Sequence, residues 1–480
     1  MLLRNYTNNE EIIFYNNNRI KFESLLNEIG NYTAHLKNLG ITSGDKITVL
    51  SGNNPEFIFL LLSIWNLNAI PVPINFKLPF NDIYGLHNSV KAKTIFLHRD
   101  TKINCNNLNG NIVSFPFANK TPEKYKYEFE PGLKNPALIL FTSGTVSKPR
   151  GVTLTFKNLI TSAKNISQQF NFTKNDKFLA SLPFFHIGGF SIIIRALLNG
   201  GKIIIPSSLN TKEILTSVNK FNPTVISVVP TVLKRMLDNK TEPNPELKIV
   251  FVGGGPSHTG LIKTAFEQNI PVVKVYGSTE TASMIAYRSI EKKEDIYAGA
   301  IPVGNTVFFI ENDKKEKLGK NEVGEIVIKG DTIADGYFNK ENTNAEKFRA
   351  GKYYTSDLGY IDDKNELHIV GRKDDIIISG GENINPYKIE NALLTHPGIT
   401  EAAVIGIDDN EWGQKAIAVI VKAGSFELNK SGLKKYLKTR VANFEIPKEF
   451  VFINSLPKNE LGKVKKSELK TFILSKRRLT

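Results

Sequence analysis

A short polar segment that follows an apolar run has the composition of a binding site. Residues 138–141 are apolar and have the length of a strand, and the run stops at a hydroxyl residue. Backbone N–H groups, hydroxyl donors and one cation gathered in a turn are what a polyphosphate requires. The Walker A spacing is absent, and Pro149 disfavours a helix at the preceding lysine. Alone, the segment fits a phosphate-binding loop and an ordinary polar turn equally well. The candidate phosphate ligands are Thr142, Ser143, Gly144, Thr145 and Lys148.

Two other predicted strands end in loops of unusual composition. One loop is rich in glycine, and the other combines an aromatic ring, hydroxyl groups and a carboxylate. Ligands bind at the carboxyl ends of strands in open α/β sheets, so we expect both loops to share one crevice. The first loop is Gly253, Gly254, Gly255 and Pro256, and the second is Tyr276, Gly277, Ser278, Thr279, Glu280 and Thr281.

A lone histidine, His186, lies in an aromatic segment, residues 182–189, that we predict to pass from strand to loop. The usual interpretation of such a histidine is a structural residue with satisfied hydrogen bonds. Gly188 and Gly189 follow it, and glycines let the backbone pass close to a bulky group. His186 is therefore kept as a candidate site residue.

Composition limits the classes of protein that fit the sequence. A chain of 480 residues is too long for one small core, so at least two domains are expected. Cys105 is the only cysteine, which excludes an intramolecular disulfide and a multi-thiolate metal site. No secretory signal or integral membrane segment is visible, and a cytoplasmic location is the simplest interpretation. The net charge of +15 suits a nucleic-acid surface, but the lysines are spread along the whole chain. We therefore favour a solvated surface that attracts anionic small substrates and no nucleic acid.

The order of the predicted elements indicates the fold class. Up to Gly299, strands and helices alternate, which predicts βαβ units and a parallel sheet. From Gly299 onward, short strands and turns indicate a β-rich subdomain. Residues 385–480 follow the order helix, strand, strand, helix, strand, typical of a small α+β domain. The predicted class is therefore α/β and α+β.

Seven segments, taken together and in order, resemble the adenylate-forming superfamily, which includes acyl-CoA synthetases, firefly luciferase and non-ribosomal adenylation domains. The resemblance covers nearly the whole chain. It implies that residues 1–373 form a large N-terminal domain of βα-layered subdomains with a β-rich subdomain. Residues 374–480 would form a small mobile α+β C-terminal domain with a catalytic lysine. It also implies ATP, Mg²⁺ and CoA as reactants. The segments are residues 142–151, 183–189, 253–256, 276–281, 354–357, 371–381 and 457–463.

Within the superfamily, the sequence is most similar to the o-succinylbenzoate–CoA ligases of menaquinone biosynthesis. This resemblance implies an AMP-forming acid–thiol ligase whose partners are a small carboxylic acid, ATP and CoA, and it leaves a homo-oligomer open. The alternatives are an acyl-CoA synthetase for another aryl or a medium- or long-chain acid, and an adenylating enzyme that loads a carrier protein. The supporting stretches are residues 226–229, 252–256, 270–273, 376–383 and 412–414.

The resemblance implies roles for the nucleotide-binding residues. In the family reaction a carboxylate attacks the α-phosphorus of ATP, and CoA then displaces AMP from the acyl-adenylate. The polar segment would hold the β- and γ-phosphates, Thr279 would contact the α-phosphate, and Glu280 would be the oxygen ligand of Mg²⁺. Asp357 would accept both ribose hydroxyls with Arg372 beside it. Tyr276 would present its ring face to adenine, with the glycine-rich loop and the residues after Tyr276 around the base.

The remaining implied roles belong to the acid, to CoA and to the small domain. Lys463 would bridge the attacking carboxylate and the phosphate, which requires the small domain to close. Asp374 matches the hinge about which that domain rotates. After the rotation, Gly380 and Gly381 would approach a pantetheine tunnel. His186, Gly188 and Ser283 would line the acyl pocket.

The sequence departs from the family pattern at two positions. Ser147 stands in the phosphate loop where glycine is usual, which narrows the backbone conformations available there. Met284 stands in the acyl pocket where the succinylbenzoate enzymes are expected to have glutamine, so the acid is left open. A second carboxylate on the acid would need a cation, for which Arg195 and Arg288 are candidates.

Overall fold

The structure is a computed structural model that describes residues 2–101, 103, 112–117, 127, 129–130, 132–142, 149–239, 244–255, 257–424, 426–459 and 462–477. Five of the predicted site residues lie outside these ranges, namely Ser143, Gly144, Thr145, Lys148 and Pro256. Cys105 and Ser147 lie outside them as well.

The N-terminal part of the chain forms a small parallel sheet with helices against it. Its elements are β1 (Glu11–Tyr15), β2 (Asn18–Lys21), α1 (Phe22–Asn38), β3 (Lys46–Leu50), α2 (Pro55–Asn66), β4 (Ile70–Pro73), α3 (Phe80–Ser89), β5 (Thr94–His98) and β6 (Ile112–Phe115). The strand order is β4-β3-β5-β6, and each neighbouring pair is parallel. This is the βαβ arrangement that the alternating pattern predicts.

Helix α2 is apolar on nearly every side and is buried over most of its length. Asn54 caps its N-terminus, because its Oδ1 accepts the Phe57 N–H at 2.8 Å. At the other end, the buried Trp65 donates its Nε1–H to the carbonyl of Ala137 at 2.7 Å. The helix therefore fixes the strand that leads to the polar segment.

The largest sheet in the described part of the chain has nine strands and is parallel at its centre. The elements between residues 136 and 302 are β7 (Pro136–Phe141), β8 (Gly151–Thr155), α4 (Phe156–Gln169), β9 (Lys177–Leu179), α5 (Ile187–Asn199), β10 (Lys202–Ile205), α6 (Thr211–Phe221), β11 (Val225–Val228), α7 (Pro230–Asp238), β12 (Ile249–Val252), α8 (Thr259–Glu267), β13 (Val272–Ser278), β14 (Ser283–Ser289) and β15 (Ile301–Pro302). The order is β15-β14-β13-β12-β11-β9-β10-β1-β2, and β14, β15 and β2 are antiparallel to their neighbours. The central strands are almost wholly apolar and buried, as expected for a sheet covered on both faces.

Residues after 302 form the predicted β-rich part. Its elements are β16 (Val307–Glu311), β17 (Gly324–Lys329), β18 (Gly336–Tyr337), α9 (Glu341–Lys347), β19 (Phe348–Arg349), β20 (Lys352–Ile361) and β21 (Leu367–Arg372). β16, β17, β20 and β19 form an antiparallel sheet, with β21 also paired to β20. β18 instead pairs with β8, beside the hairpin β7–β8 that carries the polar segment.

The last part of the chain has a sheet and hydrophobic clusters of its own. Its elements are β22 (Ile377–Ser379), β23 (Glu382–Ile384), α10 (Pro386–Leu394), β24 (Ile399–Asp409), β25 (Gly413–Lys422), α11 (Lys430–Leu437), β26 (Glu449–Phe452) and α12 (Lys466–Arg477). β25 lies at the centre of the sheet, and clusters of buried residues cover both faces. A large N-terminal part and a smaller α+β C-terminal part are therefore present, whereas the boundary after residue 373 stays a prediction.

The prediction of a loop after the strand-like residues near His186 is wrong. Helix α5 begins at Ile187, so Gly188 and Gly189 lie in its first turn. A Cβ at Gly189 would overlap the carbonyl oxygens of Pro183 and Leu182, so glycine is required by the close approach of the backbone. The helix is apolar around most of its circumference, which hides the 3.6-residue period that normally identifies a helix.

None of the helices in the described ranges combines the length and the apolar character that crossing a bilayer requires.

Candidate active site

The two loops of unusual composition leave the same edge of the large sheet. β12 and β13 are parallel neighbours, with Val250 opposite Val272, so the loops after them lie side by side. Gly254 has φ +76°, a conformation that favours glycine. A Cβ at Gly277 would overlap the carbonyl oxygen of Ser283, because the chain folds back tightly after residue 281. The two loops therefore lie side by side at one edge of the sheet, as expected, and the region that they border is the crevice.

Glu280 is held in a defined orientation at the bottom of this crevice. It lies in a single 3₁₀ turn, Thr279–Thr281, and is 8% exposed. Its Oε1 accepts a hydrogen bond of 2.8 Å from the Tyr337 hydroxyl, and burial beside this carboxylate raises the pKa of Tyr337. Among the described residues, Oε2 has no hydrogen-bond donor, so one carboxylate oxygen is left for a ligand. A buried carboxylate of this kind is a suitable ligand for a hard cation such as Mg²⁺.

Asp357 is held by a tyrosine and an arginine from two different strands. Tyr276 donates its hydroxyl hydrogen to Oδ2 at 2.7 Å, and Arg372 Nε lies 3.3 Å from Oδ1. Residues 357 and 372 are opposite each other in the β20–β21 ladder, which fixes their distance. Burial raises the pKa of Asp357, although Arg372 and the hydrogen bond from Tyr276 act in the opposite direction. The carboxylate is thus positioned at the crevice with a cation beside it.

Lys463 comes from the C-terminal part of the chain and reaches the same crevice. Its stem lies against Gly255, where a Cβ would stand 3.9 Å from Lys463 Cγ. The preceding Gly462 has φ +70° and contacts Thr231 at the start of α7. Desolvation and the nearby Arg372 lower the pKa of Lys463, and the carboxylates of Asp357 and Glu280 oppose this shift. Lys463 as a whole residue is nevertheless exposed to solvent, so it lies at the edge of the crevice.

His186 lies close enough to Lys463 for the charge of the lysine to act on its imidazole. It precedes α5, and its ring packs against Phe185 with centroids 4.8 Å apart. Burial, with a smaller contribution from the charge of Lys463, lowers the pKa of His186 to about 4. The imidazole is therefore neutral at neutral pH.

Asn53, which follows β3 of the N-terminal sheet, forms hydrogen bonds with the segment that carries His186. The Asn53 side chain donates to the carbonyl of Leu182 at 2.8 Å and accepts the N–H of Phe184 at 2.9 Å. It also donates to the carbonyl of Ala180 at 3.0 Å. One asparagine thus holds the backbone on both sides of Pro183, which fixes where the histidine begins α5.

The loop that follows Glu280 has an unusual backbone. Ala282 and Ser283 have φ values of +52° and +100°, which non-glycine residues rarely adopt. The conformation is held by neighbours, since Thr281 Oγ1 donates to the Ser283 carbonyl at 2.8 Å and Ser162 Oγ donates to the Ala282 carbonyl at 2.8 Å. Strain of this type is common at functional sites. Met284 follows and is buried.

Of the polar segment, the structure describes Thr142 and the residues from Pro149 onward. Thr142 N–H donates to the carbonyl of Arg150 at 3.0 Å and closes the base of the β7–β8 hairpin. The Arg150 guanidinium lies 5.3 Å from the centroid of the Tyr337 ring, the same tyrosine that orients Glu280. Arg150 therefore lies near the tyrosine that orients the Glu280 carboxylate.

The predicted hinge residue lies beside Arg372 at the site, and the predicted pantetheine residues lie in a turn of the C-terminal part. Asp374 lies in a 3₁₀ turn, Lys373–Asp375, with its carboxylate 3.9 Å from Arg372. Gly380 and Gly381, with φ +62° and +83°, form the turn between β22 and β23. Gly380 N–H donates to the carbonyl of Trp412 at 2.8 Å. Their roles stay predictions.

Three residues that the sequence analysis missed contribute to this geometry, namely Tyr337, Arg150 and Asn53. Gly336 precedes Tyr337 and has φ +139°, a conformation that favours glycine. In the sequence, this glycine before an aromatic residue could have indicated that Tyr337 has a special position. Asn53 and Arg150 are ordinary polar residues in sequence. Their importance follows only from long-range contacts.

Comparison with known proteins gives two family matches. Residues 3–338 match the AMP-binding enzyme family, and residues 388–463 match the AMP-binding enzyme C-terminal domain. Together these matches cover both parts of the chain and include every described residue of the crevice except Asp357 and Arg372, which lie between them.

Similar proteins are known from sequence and from structure. The 2-succinylbenzoate–CoA ligase of Bacillus cereus (strain ATCC 10987 / NRS 248) is 32% identical over 460 residues, which are 95% of this chain and 94% of that protein. The o-succinylbenzoate coenzyme A synthetase (MenE) from Bacillus subtilis has been solved in complex with ATP and a magnesium ion. It superimposes with a TM-score of 0.88 at 28% identity, covering 96% of this chain and 97% of that one. The same enzyme with the acyl-adenylate intermediate OSB-AMP gives 0.87 at 28% identity, covering 96% of this chain and 95% of that one.

Proposed function

The chain belongs to the AMP-binding enzyme family, and we propose that it is an AMP-forming acid–CoA ligase that acts on o-succinylbenzoate. The observation that carries the proposal is the convergence of Lys463 with Asp357 and Glu280. These three residues come from distant parts of the chain, and the charges of both carboxylates act on the ammonium group of Lys463. Lys463 is a cation carried by a separate part of the fold. Such a cation suits a reaction in which the negative charge of the substrates must be neutralised in one step and not in the other.

In the first half-reaction, an oxygen of the acid forms a bond to the α-phosphorus of ATP. The bond from that phosphorus to the bridging oxygen breaks, and pyrophosphate leaves with its electron pair. Lys463 lies where it can contact both anions and offset their repulsion. Mg²⁺, with Glu280 as its protein ligand, would screen the phosphate charge. Tyr337 keeps that carboxylate oriented.

The nucleoside end is held by a different set of residues. Asp357 would accept the ribose hydroxyls, and its pairing with Arg372 opposes the rise in the pKa of Asp357 that burial causes. Tyr276 would lie against adenine, with its ring fixed because its hydroxyl is bonded to Asp357. Gly254 and Gly255 leave space for the base. Ser143, Gly144, Thr145 and Lys148, outside the described residues, would hold the β- and γ-phosphates between Thr142 and Arg150.

In the second half-reaction, the sulfur of CoA attacks the acyl carbonyl carbon, and the bond to the AMP oxygen breaks. We propose that the C-terminal part, from Asp374 onward, rotates between the two steps. The rotation would withdraw Lys463 and bring Gly380 and Gly381 towards the pantetheine arm. The left-handed turn at these glycines already places their backbone at the surface, with Gly380 packed on Trp412.

The choice of acid is supported by the similar proteins, whose names specify succinylbenzoate and CoA over nearly the full length of this chain. An enzyme that ligates this acid to CoA would act in menaquinone biosynthesis. A cytoplasmic location and the absence of a nucleic-acid partner remain predictions of the sequence, and a homo-oligomer remains open.

The test is acid-dependent pyrophosphate release, measured for a panel of acids with and without CoA. We expect release with o-succinylbenzoate, Mg²⁺ and ATP, and we expect one acyl-CoA and one AMP per pyrophosphate once CoA is added. Release with another aryl acid or a fatty acid, and not with o-succinylbenzoate, would show that this other acid is the substrate. Pyrophosphate release without thioester formation on CoA would indicate transfer to a carrier protein. No release with any acid would reject the proposal.

A further inference from the structure

The loop that follows β12 is contacted at two places by the C-terminal part of the chain. At Gly255, the stem of Lys463 lies against the backbone. Three residues later, His258 Nδ1 lies 2.8 Å from the side-chain oxygen Oδ1 of Asn391 on α10. An amide oxygen only accepts hydrogen bonds, so Nδ1 of the histidine carries the hydrogen and donates it. A hydrogen bond between side chains therefore joins the two parts of the chain beside the contact of the lysine.

Both side chains of this bond have further partners. Asn391 also forms a hydrogen bond with Tyr387, four residues earlier on α10, which opposes the rise in the pKa of Tyr387 that burial causes. Burial lowers the pKa of His258, the charge of Lys458 lowers it further, and the bond to Asn391 opposes both. Lys458 lies five residues before Lys463 and is itself paired with a carboxylate, 2.6 Å from Glu401 Oε1. His258 therefore faces two segments of the C-terminal part, helix α10 and the segment that leads to the lysine.

The bond depends on how the two parts of the chain are arranged. The predicted hinge, Asp374, lies between the two partners in sequence. Helix α10 follows Asn385, whose Nδ2 donates to the carbonyl of Val370 at 2.8 Å, close to the hinge. Asn391 is six residues further along the chain, a rise of about 9 Å. A rotation about the hinge moves groups far from it more than groups beside it. It would therefore separate Asn391 from His258 more readily than Asn385 from Val370.

We propose that His258 and Asn391 are positioning residues that hold the two parts closed for the first half-reaction and separate before the second. This inference rests on the proposed function. The contact of the Lys463 stem with Gly255 is apolar and has no preferred direction, whereas a hydrogen bond is directional. The two contacts together fix the angle at which the C-terminal part meets the loop. They hold the ammonium group of Lys463 where the two carboxylates of the crevice act on it.

The expected effect is a shift in the balance between two arrangements of the molecule. A hydrogen bond between neutral groups has a modest net effect, about a two- to tenfold change in an equilibrium constant. The rate of each half-reaction scales with the population of the arrangement that performs it. The ratio of the first rate to the second therefore changes by the same factor, whichever arrangement is the more populated in the wild-type protein.

The test measures each half-reaction in single turnovers. They are pyrophosphate formation from acid and ATP, and acyl-CoA formation from supplied acyl-adenylate. His258→Leu removes the donor and Asn391→Leu removes the acceptor. Each should lower the ratio of the first rate to the second by about two- to tenfold. His258→Asn should restore most of the wild-type ratio, because its amide nitrogen can donate from the position of Nδ1.

A double variant distinguishes one shared bond from two local effects. His258→Leu combined with Asn391→Leu should give the same ratio as either single variant, because the bond is already lost in each. Gln268→Leu is the matched control, since it replaces an exposed amide at the other end of α8. Its ratio should equal that of the wild-type protein.

An unchanged ratio in both single variants, or multiplied effects in the double variant, would overturn the inference. Equal loss of both half-reactions leaves the ratio unchanged and counts against it in the same way. Retained acyl-CoA formation shows that each variant is folded. If the wild-type protein released no pyrophosphate with any acid, the proposed function would fall, and the inference with it. The two failures are distinguishable because the first is observed with an active wild-type enzyme.

Discussion

At the scale of single residues, the site depends on pairs in which one side chain fixes the charge or orientation of another. Glu280 is oriented by Tyr337, and Asp357 is held by Tyr276 and Arg372. In each pair the carboxylate is the group that would meet the nucleotide. Replacing Tyr337, Tyr276 or Arg372 should therefore weaken the binding of Mg²⁺ or nucleotide while the carboxylate that contacts the ligand stays in place.

Replacing Tyr337 by phenylalanine should weaken the use of Mg²⁺. The variant keeps the ring but loses the hydroxyl that donates to Glu280 at 2.8 Å. Residues that orient a metal ligand typically contribute 10–100-fold in metal affinity, so the half-saturating Mg²⁺ concentration should rise by roughly tenfold or more. A titration of pyrophosphate release against Mg²⁺ measures it. An unchanged midpoint would reject the role of Tyr337, and Tyr297→Phe, at an exposed tyrosine, is the control.

His186 should make the protein less stable as the pH falls. Its pKa is about 4 in the folded protein and 6.5 when exposed, so between these values the unfolded state binds more protons. Stability contributed by the neutral imidazole is therefore present above pH 6.5 and is lost as the pH falls towards 4. The full difference corresponds to at most about 3.5 kcal/mol, at about 1.4 kcal/mol per pKa unit.

Denaturant unfolding at pH 7 and pH 5 tests this effect. His186→Gln should lose less stability than the wild-type protein over that interval, because glutamine does not titrate. His396→Gln is the control, at a histidine in the C-terminal part away from the crevice. Parallel pH dependence in the wild-type protein and His186→Gln would contradict the expected burial of a neutral histidine.

At the scale of elements, the sequence predicts strands better than it predicts the helix that carries the site. The alternation of strands and helices up to Gly299, the β-rich part after it and the helix that begins the C-terminal order are all present as predicted. Helix α5 was missed, because its uniform apolar composition and two glycines suppress the periodic signal. Helix α12 was missed too, since its lysine-rich sequence resembles a solvated tail.

The candidate site was predictable only in part. Glycines and a carboxylate after strands were visible in the sequence, and their crevice follows from the topology of parallel strands. The orientation of Glu280 was not visible, because Tyr337 is 57 residues away and reaches it through the pairing of β18 with β8. Lys463 became a candidate only through the family resemblance. A lysine in a polar turn has no property of its own that distinguishes it from a surface residue.

A glycine substitution tests whether the tight turn after Glu280 matters for activity. A Cβ at Gly277 would overlap the Ser283 carbonyl and the backbone of Met284, so Gly277→Ala should displace the loop that carries Ser283. We expect kcat/KM for the acid to fall by at least tenfold, since small displacements of a positioned group cost up to about 100-fold. The assay is pyrophosphate release over a range of acid concentrations.

Gly260→Ala is the matched control for this substitution. Gly260 lies in α8, where nothing stands within 4 Å of an added Cβ. Alanine there should leave activity unchanged and stabilise the fold by about 0.4–1 kcal/mol, because it restricts the unfolded chain. Equal activity of both alanine variants would show that the close approach at Gly277 does not position the acyl pocket.

At the scale of the whole molecule, the crevice is complete only because the C-terminal part is closed onto the large N-terminal part. Lys463 lies against Gly255, Gly462 contacts Thr231, and His258 Nδ1 lies 2.8 Å from Asn391 Oδ1. These contacts are partly polar, as expected of an interface between parts that can move relative to each other. Under the proposed function, this is the arrangement that the first half-reaction requires, with Lys463 beside Asp357 and Glu280.

The paired half-reaction assay of Lys463→Ala tests the central claim most directly, namely that Lys463 acts on the carboxylate and phosphate and not on the thioester step. Acid-dependent pyrophosphate release should fall by about 100-fold or more, a typical cost of losing a charge that stabilises the transition state. Formation of acyl-CoA from supplied acyl-adenylate should stay within a few-fold of the wild-type rate. Lys465→Ala, two residues away at a lysine paired with Glu468, should change neither. Equal loss of both half-reactions, or full retention of pyrophosphate release, would contradict the account.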